Sequence, residues 1–440
     1  MQSMENRMTT SPADLAVDTA PKSSRTAILA GVIGNVLEWY DFAVYGFFVP
    51  VISHLFFPTQ TPLMSLLLTF SVFGVGFAMR PLGSILFGIY GDRHGRRAAL
   101  STVVTLMAIA TLAVGLLPTY GQVGVLAPLL LVLARLLQGL SSGGEWGGAA
   151  AYLVEFAPAG RRGFIGSWQQ ASVGCGFLLG ALSAALLTSA LPQGALMSWG
   201  WRLPFLAGVL LGAVGLYMRL RLDDTPQYVE LEHRHKVAAN PLREAFTTYR
   251  KQTLLTFGIT LHNAVAYYVV LVYMTTYLTS IVKMPRSTAL WIGTVCLAVF
   301  VILTPLMGRL SDRIGRRPLF IISSGGYCIL AYPLFVMASS GSVALAFLTQ
   351  LILVVLLAVY AGPGPALYAE LFPTRVRYTA LSVGYNIPVA IFGGFAPFIA
   401  TGLIHLTGSI LSPAIYVMIA SGITLITMRW VRETAFEKLG

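Results

Sequence analysis

The chain has 440 residues, 56% of them hydrophobic and 10% charged, with a mean hydropathy of +0.74 and a formal net charge of +12. Soluble domains carry about 25% charged residues, so a surface facing only water is excluded and lipid must cover much of this one. The 29 basic residues are spread over many short loops, which excludes a nucleic-acid-binding patch as the origin of the charge.

Residues 1–25 are polar and rich in Ser, Thr, Ala and Pro, the composition of a disordered tail. Twelve apolar runs follow, at about 26–51, 63–90, 99–117, 123–154, 163–190, 201–220, 252–282, 288–309, 318–338, 342–368, 378–405 and 411–429. Each has the roughly 20 residues that cross a bilayer as a helix. They are numbered here as spans 1–12. The first run is too long, and too interrupted by Glu38 and Asp41, to be a cleaved signal peptide. The polar stretch 221–251, with Asp223, Asp224, Glu230, Arg234 and Lys236, separates six spans from six. The expected fold is therefore an all-α polytopic membrane protein. Its parts are a tail (1–25), a six-helix bundle (26–220), a linker (221–251), a second six-helix bundle (252–430) and a C-terminal tail (431–440).

With both termini in the cytoplasm, 24 of the 29 lysines and arginines fall on the cytoplasmic side, and only Arg202, Lys283 and Arg286 on the other. This is the positive-inside asymmetry. Cys175, Cys296 and Cys328 stand singly in apolar runs, a usage expected of small buried residues rather than of a disulfide or metal site.

The halves repeat each other. Asp92-Arg93-His94-Gly95-Arg96-Arg97 recurs 220 residues later as Asp312-Arg313-Ile314-Gly315-Arg316-Arg317. Glu155-Phe156-Ala157-Pro158-Ala159-Gly160-Arg161 is echoed by Glu370-Leu371-Phe372-Pro373-Thr374-Arg375, and Asp224-Thr225 by Glu433-Thr434. Three echoes in one order point to duplication, and duplicated membrane bundles suit alternating-access carriers better than channels. Glycine allows the tight reversal, and the arginines can anchor it and pair with Glu155 or Glu370. The aspartates can cap the first turn of a helix in the opposite half, where the helix dipole favours negative charge. For Asp92 the start of span 11, near Arg377, is the expected target. A contact of that kind would lock the cytoplasmic face shut in one state only. The expected gating residues are thus Asp92, Arg93, Gly95, Arg96, Arg97, Glu155, Arg161, Asp312, Arg313, Gly315, Arg316, Arg317, Glu370 and Arg375, with Glu145 in its glycine-rich setting.

The repeated turn resembles the loop signature of the major facilitator superfamily, and Arg135-Leu136-Leu137-Gln138-Gly139 resembles that superfamily's second motif. Gly34-Asn35-Val36-Leu37-Glu38-Trp39-Tyr40-Asp41-Phe42 resembles the span-1 hallmark of its metabolite:proton symporter family. So do Arg80-Pro81-Leu82-Gly83, Gly143-Gly144-Glu145 and Trp199-Gly200-Trp201-Arg202-Leu203-Pro204. The resemblance covers about residues 26–436. It implies two six-helix bundles around a central cavity, proton coupling and no cofactor. Members carry citrate and other di- and tricarboxylates, 2-oxoglutarate, shikimate, proline and betaines.

A charge at the bilayer centre costs about 2.5–3.5 kcal/mol on insertion scales, so Glu38, Asp41, Arg80, Arg135 and Glu145 are expected to face one another or a watery cavity. At ~1.5 Å per residue, Glu38, Arg80 and Arg135 lie near one level at mid-membrane. Two arginines and a glutamate there would make an anion site, since the guanidinium fork matches a carboxylate. Glu38 and Asp41 share a helical face, with Asn35 and Tyr45 one turn to either side. Their mutual repulsion favours holding a proton, and Arg135 could set that affinity. Glu38, Asp41 and Arg135 are therefore the expected proton-coupling set. The expected substrate contacts are Asn35, Tyr45, Arg80, Arg135, Gln138, Trp168, Gln169, His262, Asn263, Tyr268, Tyr385 and Asn386, with a packing role also open for His262.

The leading expectation is a monomeric symporter in a bacterial-type inner membrane, importing a di- or tricarboxylate with protons. The alternative is a zwitterionic solute such as proline or betaine, held by an arginine and an aromatic cage for which Trp39, Tyr40, Trp168 and Tyr268 are candidates. The short C-terminal end argues against that alternative. Drug/proton antiport ranks lower, because span 5 has glycines but no Gly-Pro pair. No metal-ligand spacing, nucleophile motif or phosphate loop suggests an enzyme.

Overall fold

The computed structural model of the protein describes residues 23–94, 96–143, 145–155, 157–158, 160–220, 244, 246–437 and 439. Most of the expected tail and linker, and Gly95, lie outside the described residues. Everything described is helix or connection, in twelve spans. Spans 1, 3, 5 and 6 are the helices Ser23–Phe56, Arg96–Leu116, Arg162–Ala190 and Leu203–Leu220. Spans 8, 9 and 12 are Arg286–Ile314, Arg317–Ala338 and Ser412–Thr427. The first helix begins three residues inside the expected tail. Helices are forced here because a lipid environment leaves backbone groups no partner but their own chain.

The other five spans are interrupted. Span 2 is Pro62–Ala78 followed by Arg80–His94. Pro81 has no backbone N–H to donate into the preceding turn, so the helix restarts at Arg80. Span 4 breaks at Ser142-Gly143 between Leu126–Ser141 and Glu145–Glu155. Span 10 breaks at Gly362-Pro363 between Val343–Ala361 and Gly364–Glu370. Span 11 passes from Thr374–Pro388 through a wide turn, Val389–Gly393, into Ala396–Thr407. Span 7 runs as Arg250–Tyr268 and then through two wide turns, Val269–Tyr273 and Tyr277–Ile281.

Spans 2 and 4 meet backbone to backbone. A Cβ on Gly139 would lie 1.8 Å from the Gly76 carbonyl oxygen, one on Gly83 1.8 Å from that of Leu140, and one on Gly143 2.1 Å from that of Arg80. Small residues at this spacing are how membrane helices approach closely. Here the approach delivers the Arg80 side chain to the broken end of span 4.

The two halves touch at both ends. At one end Phe70 packs edge-on to Tyr273, with centroids 5.8 Å apart, and Arg286 donates to the Phe47 carbonyl at 3.4 Å. At the opposite end ion pairs cross the interface.

Candidate functional site

The intramembrane charges of spans 1, 2 and 4 whose side chains are described fall into two groups inside the first bundle, both near the Phe42 ring. Arg80 donates from Nη2 to Glu38 at 2.5 Å and to the Ser142 carbonyl at 3.3 Å. Both partners are buried, 3% and 6% exposed. The guanidinium lies 4.8 Å from the Trp39 ring, 5.3 Å from Phe77 and 5.6 Å from Phe42. In the second group Arg135 donates from Nη1 to Gln138 Oε1 at 2.6 Å, and Gln138 Nε2 donates to Thr111 Oγ1 at 2.9 Å. Thr111 is also hydrogen-bonded to Asp41 Oδ2. Arg135 lies 3.9 Å over the Tyr45 ring and 5.2 Å from Phe42.

The expected clamp of two arginines and a glutamate is therefore not assembled. Arg80 answers Glu38, while Arg135 answers Asp41 through two neutral side chains. The physical reason is the buried cost of unpaired charge: four charges at one level are cheapest as two neutral sets. Thr111 has one proton and two acceptors in reach, Asp41 and the Met107 carbonyl at 2.9 Å. An ionised Asp41 takes that proton as an acceptor. A protonated Asp41 donates instead, and the Thr111 hydroxyl turns to Met107.

Between the halves lies a wall of aromatic rings. Tyr268 of span 7 packs on Phe77 and Phe73 of span 2, at 5.1 and 6.2 Å. Trp146 of span 4 stacks face to face on Tyr385 of span 11, at 3.4 Å, with Tyr368 edge-on at 5.9 Å. Trp39 contacts Phe177, which packs on Tyr267. Buried polar atoms without a hydrogen bond among the described residues include both amide atoms of Gln169, Oδ1 of Asn263 and the hydroxyl of Tyr267. The other amide atom of Asn263 donates to the Tyr385 hydroxyl at 3.2 Å. Buried polar atoms in that condition are costly unless a ligand or water meets them.

At the end where spans 4 and 10 finish, the repeated motifs interlock in reciprocal fashion. Arg377 at the start of span 11 pairs with Glu155 at the end of span 4, at 2.5 Å. Arg162 at the start of span 5 approaches Glu370 at the end of span 10, at 3.5 Å. Asp312 accepts from the backbone N–H groups of Gly163 and Phe164, both at 2.8 Å, and so caps span 5 of the opposite half. Arg316 braces that cap, bonding Asp312 at 2.8 Å and Glu370 at 3.2 Å. These carboxylates hold the Arg316 guanidinium above the usual arginine range, against the opposing effect of burial. Gly315 adopts φ +99°, a conformation that favours glycine. Glu433 lies against it and caps span 9 through the N–H groups of Arg316 and Arg317, at 2.8 and 3.0 Å.

The sugar (and other) transporter family matches the chain over residues 26–245 and again over 230–440. A glycine betaine/proline/ectoine/pipecolic acid transporter of Dickeya dadantii is 37% identical, covering 94% of this chain and 84% of the relative. The proline/betaine transporter of Escherichia coli K12 is 35% identical, covering 94% and 85%. A putative proline/betaine transporter of Staphylococcus aureus is 36% identical, covering 95% and 90%. The chain belongs to the major facilitator superfamily. Solved structures agree on the fold: a D-xylose–proton symporter superposes with a TM-score of 0.75 at 20% identity, covering 95% of this chain and all of the other. The E. coli xylose transporter in a partially occluded, inward-open conformation gives 0.76 at 20% identity, with the same coverage. These relatives are named for zwitterionic solutes, glycine betaine and proline among them.

Several expected site residues have other work in this major facilitator protein. Trp168 is 45% exposed on the outside of span 5, edge-on to Phe164, so it cannot line the centre. His262 is fully buried in the second bundle, its ring nitrogens 2.8 Å from Ser421 Oγ and 3.2 Å from Ser323 Oγ, between Tyr327 and Tyr360. Neighbouring helices satisfy both nitrogens, which makes it a packing histidine. Asn35 ties span 1 to span 5 through Ser172 Oγ at 2.7 Å, and Tyr45 donates to the Thr69 carbonyl at 3.0 Å. These two and Gln138 stand behind the interface rather than in it. Tyr40, a cage candidate, donates to the Pro204 carbonyl at 2.9 Å and is likewise turned away. Asn263, Tyr268 and Tyr385 do face the interface, Asn386 is buried beside Tyr385, and Gln169 is buried in span 5, its carbonyl accepting from Asn35 of span 1.

Among the gating residues, the side chains of Asp92, Arg93, Arg96, Arg97, Glu145 and Arg375 lie outside the described residues, as does the expected Asp92 contact with span 11. Arg161 and Arg313 are exposed. Among the described side chains Arg162 and Arg377 make the inter-half pairs. Sequence reasoning missed Thr111, a lone hydroxyl in an apolar span, and Trp146, hidden in a glycine-rich motif read as packing. It also passed over Tyr267 as a neighbour of Tyr268.

Replacing Asp312 with Asn leaves only one acceptor oxygen for two N–H groups and removes charge from a helix N-terminus, a loss of about 1–3 kcal/mol. The expected outcome is faster modification of a cysteine placed at the part-exposed Phe164 by a reagent added to the cytoplasmic face of oriented vesicles. Unchanged modification would show that the cap does not hold the gate.

Proposed function

We propose that the protein is a proton-coupled symporter that imports a zwitterionic compatible solute of the betaine or proline type by alternating access. The supporting observation is the charge balance of the site. With both carboxylates ionised, Glu38, Asp41, Arg80 and Arg135 sum to zero; with Asp41 protonated they sum to one positive charge. A dicarboxylate or tricarboxylate would leave at least one negative charge buried without compensation, at several kcal/mol. A zwitterion adds no net charge.

In this reading the solute carboxylate meets Arg80, and its ammonium end lies against the aromatic faces of Trp39, Phe77, Tyr268 and Tyr385, where cation–π attraction is strongest when water is excluded. Gln169, Asn263 and Tyr267 supply the remaining hydrogen bonds. Asp41 carries the proton, because its partner is a hydroxyl that can either donate or accept, whereas Glu38 is held ionised by Arg80. The gate formed by Asp312, Glu155, Glu370 and their partners closes the cytoplasmic face while the proton and solute load from outside. The protein works in a bacterial inner membrane with both termini in the cytoplasm, the orientation that the distribution of basic residues favours.

The test is uptake into proteoliposomes from a panel of glycine betaine, proline, citrate, 2-oxoglutarate and shikimate, with and without an imposed proton gradient. Glycine betaine or proline is expected to accumulate only when the gradient is present. Accumulation of citrate or 2-oxoglutarate in preference to both would overturn the solute class, and accumulation indifferent to the gradient would overturn the coupling.

A further inference from the structure

Behind the two carboxylates, on the side away from the aromatic wall, is a cavity of about 30 Å³. It is bounded by Glu38 and Asp41 of span 1, Ser141 and Ser142 of span 4, Gly208 and Gly212 of span 6, and apolar side chains of span 3. Among the described residues, none of spans 2 or 5, or of the second half, contributes to it. One water needs about 10–15 Å³ measured in this way and two to four polar partners, so the space holds one or two. The Ser141 and Ser142 hydroxyls donate to the Gln138 carbonyl at 2.8 and 3.0 Å. Their lone pairs, like the carboxylate oxygens, remain available to accept from a water.

The cavity has a direction. Glu38 lies one turn nearer the cytoplasm than Asp41, and Gly212 one turn nearer than Gly208. The span-3 residues Val103, Val104, Met107 and Ala108 precede Thr111 on the cytoplasmic side. The two glycines keep the passage open. A Cβ on Gly208 would sit 3.1 Å from Asp41 Oδ1 and 3.0 Å from Thr111 Cγ2, and one on Gly212 2.9 Å from Ala108 Cβ.

We propose that protons pass between Asp41 and the cytoplasm through this water-holding cavity within the first bundle, along a route separate from that of the solute. The proposal rests on the reading of Asp41 as the proton carrier. Atoms balance simply: the Asp41 O–H bond breaks, its proton passes to a cavity water, and that water gives up a proton toward Glu38 or the cytoplasm. Solute leaves by the interface between the halves, whereas the described residues that line the cavity all belong to spans 1, 3, 4 and 6 of the first half. Gly208 and Gly212 are thus positioning residues for proton transfer, with no contact with the solute.

Gly212→Val fills the passage one turn from Asp41, and Ala108→Leu fills it from the facing helix. The deciding measurement is the rate at which the infrared carboxyl band of Asp41, assigned by its loss in Asp41→Asn, shifts when detergent-solubilised protein at acidic pH is transferred into heavy water. Both variants are expected to slow that shift by about tenfold or more. They should slow gradient-driven uptake of glycine betaine comparably while leaving its counterflow exchange within about twofold of wild type. An unchanged carboxyl shift in both variants would overturn the route, and so would equal losses of driven uptake and counterflow. If wild-type protein itself shows no gradient-driven uptake, the symport reading falls, yet the carboxyl shift still decides whether the cavity carries protons.

Discussion

Asp41→Asn is expected to abolish accumulation of solute above its external concentration while leaving downhill counterflow within about twofold of wild type. The size of the effect follows from the driving force. One proton moving down a gradient of 1 pH unit supplies about 1.4 kcal/mol, or tenfold accumulation. A membrane potential of 100 mV supplies about 2.3 kcal/mol more for an electrogenic step. Asparagine keeps the shape of the side chain and can still bond Thr111 Oγ1, so the Thr111–Gln138–Arg135 chain survives, but it cannot carry a proton. What is lost is coupling, not the translocation path. Glu38→Gln is the informative contrast. It leaves Arg80 buried without its anion and should damage binding more than coupling. Should Glu38→Gln erase accumulation with counterflow intact, and Asp41→Asn leave it untouched, the proton belongs on Glu38.

Arg80→Gln carries the second large effect. Breaking a buried ion pair by removing one partner costs about 3–5 kcal/mol, and here the change also removes the guanidinium that bridges span 1 to the Ser142 carbonyl at the break in span 4. Solute affinity is expected to fall about a hundredfold or more, and thermal stability should fall with it. The two causes separate in the double variant Glu38→Gln/Arg80→Gln, which contains no unpaired charge. Its stability should return toward wild type while its affinity for glycine betaine stays low. The affinity can be read from tryptophan fluorescence, since Trp39 lies against the Arg80 guanidinium. Binding restored to the wild-type value in the double variant would mean that Arg80 serves only to neutralise Glu38.

Much of this was legible in the chain. Hydropathy placed the spans, because a bilayer imposes length and apolarity on each segment independently of the others. The echo of the Asp-Arg-x-Gly-Arg-Arg turn pointed to contacts between the halves, and Asp312 caps a helix of the opposite half in the manner expected of its type. Which arginines cross the interface was not legible: Arg161 and Arg162 are equally basic, and only the trajectory of span 5 turns Arg162 toward Glu370. His262 and Trp168 misled for a related reason. A polar or aromatic side chain in an apolar run signals that it needs a partner, but not whether that partner is solute, another helix or lipid. Thr111 carried no signal, since a single hydroxyl can satisfy itself by bonding back to its own helix, as Thr111 also does to Met107.

The division between sequence and structure follows the range of the forces involved. Local and one-dimensional properties settled the solvent, the number of spans, the duplication, and which residues would be charged inside the membrane. Pairing among those charges depends on contacts between helices far apart in sequence, created where glycines let spans 2 and 4 meet and Pro81 restarts span 2 at Arg80. Two arginines at one depth read as a clamp for a polyanion. The folded chain gives each its own carboxylate, Glu38 directly and Asp41 through Gln138 and Thr111, because buried charge is tolerated best in neutral sets. That pairing leaves a site with no net charge and an aromatic wall, and so favours a zwitterion over the di- or tricarboxylate that sequence alone ranked first.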